Sequence, residues 1–180
     1  MKLIKKALYF SAKAHDGQYR KGGTVPYISH PVFVAFGVQK YTNDEEIVAA
    51  ALLHDVLEDC VSVTQEILNE EFGANITRMV LEMSSDSNEA YTTWKEKKEA
   101  YIHLVKNASP DTLLIIAVDK MQNGQAYFEA LRKGIDVNQF FRGSPDEYKW
   151  YFDSIFQILG SRLGNDNPVV KDFSEFMSSI

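Results

Sequence analysis

Residues 47–59 read IVAAALLHDVLED, a run that is apolar on nearly every side yet carries four ionisable groups, His54, Asp55, Glu58 and Asp59, near its end. A helix this apolar belongs at the centre of a bundle, because only there are all of its faces covered. Ionisable side chains buried alone are costly, so inside such a helix they are normally paired with a cation or bound to metal. The stretch sets two expectations together: an all-α fold and a buried cation site.

Outward from it, helical periodicity continues in both directions, with apolar residues three and four apart and no long alternating pattern of the strand type. The central helix is expected over residues 44–59, with Asn43 as N-cap and Glu46 three positions on. Before it, a first helix over residues 4–15 stops at Gly17, and a second over 31–41 opens at His30-Pro31, since proline suits a first helical turn. Between them lies the loop GQYRKGGTVPYIS. After it, Ser62 and Gln65 form a capping-box pattern ahead of QEILNEEF, which Gly73 closes, and another helix follows over 74–83. SSDSNEA reads as a polar loop. Helices resume over 91–107, then from Ser109-Pro110 through DTLLIIAVDKMQNGQAYFEALRKG to a stop at Gly134. Ser144-Pro145 opens YKWYFDSIFQILGSRL, and a short tail helix ends the chain.

At 180 residues and 45% apolar content, one continuous core is feasible, and with no internal repeat or linker the expectation is a single domain over residues 1–180. A charged fraction of 24%, with 10 glycines and 5 prolines, is that of a folded protein. The net charge of −6 opposes loose binding to nucleic acid or to anionic membranes, so a phosphorylated ligand must be attracted locally. One cysteine, Cys60, cannot form an internal disulfide and fits a reducing compartment, hence a cytoplasmic location. In MKLIKKALYFSAKAHDG, the residues Lys13, His15 and Asp16 interrupt the apolar run before a signal core or membrane span forms, so it reads as a helix of the mature protein.

The chemistry concentrates in four residues. His54 and Asp55 lie on one apolar helix, Asp119 on another, and His30 at the mouth of a third. Singly, each has an ordinary structural explanation: a hydrogen-bonded core histidine, or an aspartate in a buried salt bridge. Together, two imidazoles and two carboxylates make a mixed nitrogen and oxygen site suited to Mn, Fe or Zn rather than Mg or Ca. His54 and Asp55 diverge by roughly 100° on a regular helix, so they share an ion only if it lies between their directions. Glu58 falls one turn beyond both, where a carboxylate can orient or deprotonate a water beside the ion.

The string from AHDGQYRKGGTVPYISHP through AALLHDVLEDC to AVDKMQN resembles the hydrolase domain of the RelA/SpoT alarmone family, most of all the small stand-alone alarmone hydrolases. The ordered set RKG, HP, HDVLED and DKxxN is far more specific than an HD dipeptide, and the likeness extends to about Tyr151-Phe152, with no synthetase domain after it. The resemblance implies an HD-domain helical bundle that hydrolyses the 3′-pyrophosphate of ppGpp or pppGpp. It implies His30, His54, Asp55 and Asp119 as ligands of one ion, typically manganese, and Glu58 and Asp59 as the catalytic acidic pair. It places Arg20 beside the guanine base, Lys21 nearer the phosphates, Asn123 near the ribose and Tyr151 near a phosphate. A flat guanidinium stacks on a base and a compact ammonium pairs with phosphate, which agrees with the first two.

Two departures stand out. Cys60 replaces the threonine usual after the acidic pair, and Ile115-Ile116-Ala117-Val118 replaces a lysine-containing lead into Asp119. Two other readings remain open: an HD phosphohydrolase acting on another nucleotide, and a non-catalytic module that binds nucleotide or metal. His15 is expected to be structural and His103 exposed. Tyr9, Phe10 and Tyr27 are expected in packing, and Lys95, Lys97 and Lys98 on a solvated helix face beside Glu96 and Glu99.

Overall fold

The structure, a computed structural model, describes residues 2–21, 23–85, 91–137 and 142–180. Among these residues the chain is all-α, as expected; the single extended contact is an isolated bridge between Tyr19 and Pro26. The fold resolves into two compact units, Met1–Asn88 and Glu89–Ile180.

The first unit holds α1 (Lys2–Ala14), α2 (Ser29–Val38), α3 (Glu45–Leu53), α4 (Val56–Asp59), α5 (Gln65–Phe72) and α6 (Ala74–Leu81). Helix α3 is its hub and packs against α1, α2 and α6. Every residue of α3 from Ile47 to Leu53 is buried, and the three alanines Ala49, Ala50 and Ala51 are fully so. Small side chains there allow neighbouring helix axes to approach closely. Covering a leucine such as Leu53 on all sides contributes about 1.5–3 kcal/mol.

Several boundaries differ from those expected. The central helix is not continuous over residues 44–59: it stops at Leu53 and restarts as the single turn of α4, with His54 and Asp55 at the break. Asp55 has φ −98° and ψ −5°, a backbone setting between regular helix and turn. The N-cap is Asp44 rather than Asn43, because its carboxylate accepts from the Glu46 N–H at 2.8 Å. Helix α5 is capped by Thr64 rather than by Ser62. Helix α2 begins at Ser29, so His30 lies in its first turn and not ahead of it. Gly17, at φ +75°, takes the chain out of α1 through a conformation that glycine adopts without steric cost.

The second unit holds α7 (Trp94–Asn107), α8 (Pro110–Arg132), α9 (Pro145–Leu163) and α10 (Pro168–Ser178). Helix α8 packs against α9 and α10, and α7 against α9. Thr93 and Ser144 each make a complete capping box, with Glu96 and Glu147 respectively, and Ser109 caps α8. The first of these starts α7 three residues later than periodicity suggests. The guanidinium of Arg162 donates to the carbonyls of Lys106 and Ala108, satisfying acceptors at the end of α7 that have no intrahelical partner. Of the expected loop SSDSNEA, residues 86–90 lie outside the described residues.

At Gly124 of α8, aromatic rings from α9 and α10 pack against the helix backbone. A methyl group there would run into the Phe176 ring of α10 and lie 3.1 Å from Phe152 of α9. Gly124→Ala is expected to destabilise the protein by about 1–3 kcal/mol through overpacking, despite alanine's better helix propensity. Urea unfolding measures this, and an unchanged or raised midpoint would contradict the packing described.

The Glu147 carboxylate accepts from the Ser144 backbone N–H at 2.8 Å, and that bond, with the Ser144 hydroxyl, holds its carboxyl below the ordinary glutamate value. A pKa lowered on folding stabilises the native state above the unfolded value, and the contribution is lost as pH falls through the folded value. The gap in thermal midpoint between wild type and Glu147→Ala is therefore expected to be full at neutral pH and to close in acid below the glutamate range. A gap independent of pH would show that the charge plays no part.

Candidate metal centre and its surroundings

The break between α3 and α4 puts a histidine where the last carbonyls of α3 lack helical partners. His54 uses one of them: its Nδ1 lies 2.8 Å from the Ala51 carbonyl oxygen. A carbonyl only accepts, so Nδ1 carries a proton and Nε2 is the nitrogen turned toward the cluster. That Nε2 lies 3.1 Å from Asp55 Oδ2, and His30 Nε2 lies 3.7 Å from the same oxygen. The ligand atoms of His30, His54 and Asp55 all fall within 4.8 Å of one another. The two imidazole rings meet edge to face, with centroids 5.1 Å apart. The helix break also answers the geometric difficulty of adjacent ligands, since Asp55 is no longer held to a regular helical step from His54.

These three side chains suit a metal ion. Both histidines are about 95% covered, and two imidazole nitrogens with a carboxylate oxygen converge in a small volume. Electron-rich atoms gather favourably in such a place around a cation. The donors are the mixed nitrogen and oxygen set of transition-metal sites.

Tyr27 closes one side. Its hydroxyl donates to Asp55 Oδ2 at 2.7 Å. Burial, and then the carboxylates of Asp55 and Asp59, push the phenol far above its ordinary pKa, so it remains a donor. Its ring lies against His15, centroids 4.8 Å apart and tilted by 31°. The expectation that Tyr27 serves only in packing is thus incomplete, because residue type and loop position in the sequence did not disclose the bond to Asp55. His15 is buried, as expected, and its Nδ1 contacts Gln18 Oε1 at 2.8 Å and Cys60 Sγ at 3.4 Å.

Of the acidic pair, Glu58 accepts from the Ser85 N–H at 2.5 Å, while the carbonyl of Asp59 accepts from the Gln18 side chain at 2.8 Å. Arg20 sits over the Tyr27 ring, 5.6 Å from its centroid, and its N–H bonds the Val25 carbonyl at 2.9 Å. Lys21 lies on the exposed turn of that loop.

The remaining residues singled out in the sequence belong to the second unit. Asp119 is buried on α8, where the Asn123 amide donates to Oδ1 and Lys120 Nζ to Oδ2, each at 2.6 Å. Burial works against the Lys120 charge, but the Asp119 carboxylate together with Tyr101 and Tyr151 outweighs it and raises the ammonium well above its ordinary pKa. The sequence drew attention to the lysine missing before Asp119, whereas the structure places one immediately after it, over the Tyr101 ring at 4.4 Å. Tyr151 is buried, its ring 6.3 Å from that of Tyr101, with Lys98 Nζ at 4.6 Å over its face. Lys98 therefore packs on aromatic rings, against expectation, while Lys97 and His103 are exposed as expected. Tyr9 is also exposed, where packing was expected, and Phe10 meets the Phe72 ring edge on at 5.2 Å.

Comparison with known proteins decides the family: the HD domain family, HD_4, matches residues 7–165. The chain belongs to the HD domain family. An HD domain implies a divalent metal, and His30, His54 and Asp55 form the His/Asp cluster that suits one. This HD domain is 52% identical over 67 residues to a Haemophilus influenzae protein named guanosine-3′,5′-bis(diphosphate) 3′-pyrophosphohydrolase, a match covering 37% of the chain and 10% of the relative. An Aquifex aeolicus protein of the same name is 32% identical over 120 residues, 67% of the chain and 17% of the relative. The chain thus spans under a fifth of these curated relatives. Among solved structures, one described as a metazoan ortholog of SpoT that hydrolyses ppGpp superposes with a TM-score of 0.77 at 24% identity, covering 99% of this chain and 96% of the other. That likeness is one of fold. A crystal structure of a Listeria monocytogenes EGD-e protein superposes with a TM-score of 0.70 at 25% identity, over 87% and 98% of the two chains.

Cys60 is buried, and burial with the Asp59 carboxylate pushes its thiol up to about 11, the Gln18 contact acting the other way. The thiolate is the reactive form, so a disulfide reagent at neutral pH is expected to label Cys60 slowly in the native HD domain and rapidly in urea. Equal rates in the two conditions would contradict the burial described.

Proposed function

We propose that this chain is a metal-dependent phosphohydrolase that removes the 3′-pyrophosphate of guanosine alarmones, converting ppGpp and water to GDP and pyrophosphate, and pppGpp to GTP and pyrophosphate. The observation that carries the reading is the cluster of buried His30 and His54 with part-buried Asp55, in a chain similar over its matched segments to proteins named as 3′-pyrophosphohydrolases. We take the ion to be Mn²⁺, which the donor set accommodates, and Asp119 to be a further ligand on its motif. When bound, the ion supplies Lewis acidity to a phosphoryl oxygen and lowers the pKa of a water.

The protein's own groups have distinct tasks. Glu58 and Asp59 orient the attacking water and accept its proton, and the Ser85 N–H steadies the Glu58 carboxylate. Arg20 lies flat against the guanine base and Lys21 offsets phosphate charge. Asn123 and Tyr151 are assigned to ribose and phosphate from the motif. The domain is read as one HD phosphohydrolase unit over residues 1–180, cytoplasmic, with a small nucleotide rather than nucleic acid or membrane as its partner. The net charge of −6 supports the last point, and no helix among the described residues is long and apolar enough to cross a membrane.

Incubation of the full chain with ppGpp and Mn²⁺, with pyrophosphate and orthophosphate measured separately, tests the assignment. Pyrophosphate release is expected, falling by about 10²-fold or more in Glu58→Ala. Orthophosphate alone would move the protein to another phosphohydrolase substrate. No release of either, with ion binding retained, would favour a binding module.

A further inference from the structure

We infer that Tyr27 is a positioning residue of the metal centre: its hydroxyl fixes the Asp55 carboxylate in the orientation that turns Oδ2 toward His30 and His54. The inference rests on the proposed metal site and adds a residue to it.

The carboxylate of an aspartate turns easily about its last torsion, and Asp55 sits at a helix break with a fifth of its side chain exposed, so its own backbone does little to hold it. Tyr27 supplies the restraint. The hydroxyl donates at 2.7 Å to Oδ2, the same oxygen that lies 3.1 Å from His54 and 3.7 Å from His30. The phenol ring is itself held from several directions. His15 packs along one face, the His30 ring approaches edge on at 6.1 Å, and the Arg20 guanidinium lies over it. Its backbone is fixed too: the Tyr27 N–H bonds the Gln18 carbonyl, and its carbonyl accepts from the His30 N–H, both at 2.9 Å. One residue therefore links the loop, the first turn of α2 and the carboxylate after α3.

A donor to a ligating carboxylate sets that ligand's direction and basicity, and losing such a partner typically weakens metal binding about 10- to 100-fold. Tyr27→Phe removes the hydroxyl and keeps the ring that contacts His15, His30 and Arg20, so the variant is expected to fold. Mn²⁺ is titrated into metal-free wild type, Tyr27→Phe and His54→Ala by calorimetry, with far-UV circular dichroism as a check on the fold. The expected result is a Kd for Mn²⁺ raised about tenfold or more in Tyr27→Phe, a smaller rise in thermal midpoint on adding Mn²⁺, and near-complete loss of binding in His54→Ala. With ppGpp, kcat should recover as Mn²⁺ is raised while KM stays at the wild-type value, a split that a packing role alone does not produce. If Tyr27→Phe binds Mn²⁺ within about twofold of wild type while His54→Ala does not bind, the role of Tyr27 is refuted and the metal site stands. If wild type fails to bind, or His54→Ala binds equally well, the metal site itself is refuted, and Tyr27's role with it.

Discussion

The bond from His54 Nδ1 to the Ala51 carbonyl sets the direction of the imidazole on which the candidate metal centre depends. It occupies an acceptor that the end of α3 leaves over, and by doing so it turns Nε2 toward the cluster. That nitrogen then faces a carboxylate oxygen and a second imidazole inside a nearly closed space. Such a grouping suits a cation, and it stands at the end of a helix buried throughout from Ile47 to Leu53. The alanines of α3, the interruption before Val56 and the packing of α2 on α3 surround that grouping.

Much of this was legible in the sequence, because the physical signals were local. The apolar run at residues 47–53 announced a buried helix, and the ionisable groups after it announced a site. Proline and serine at 109–110 and 144–145 marked two helix starts to the residue, since caps are encoded in a few consecutive side chains. The break at His54-Asp55 was not legible: both residues fit a helix, and the bond from His54 to the Ala51 carbonyl has no sequence signature. Tyr27 escaped for a related reason. Its partner lies 28 positions away, and no pattern within the loop distinguishes a tyrosine that packs from one that donates to a carboxylate.

In the second unit the same contrast appears. Asp119 was conspicuous as an acid in an apolar helix, yet the structure surrounds it with Lys120 and Asn123, which adjacency and a one-turn spacing bring to its two oxygens. Lys120 stood in the DKxxN motif without a role of its own, since a lysine beside an aspartate normally points elsewhere on a helix. Here its long stem lets the ammonium fold back to the carboxylate while resting on Tyr101. Lys98 follows the same habit on Tyr151.

Ala51 belongs to two structures at once. Its methyl group is fully buried in the packing of α3, and its carbonyl anchors His54. Core positions usually drift among residues of similar size without consequence for chemistry, because the core and the site are made of different atoms. Here they share a residue. Packing around the Ala51 methyl and the aim of the His54 imidazole are therefore set at one position of α3.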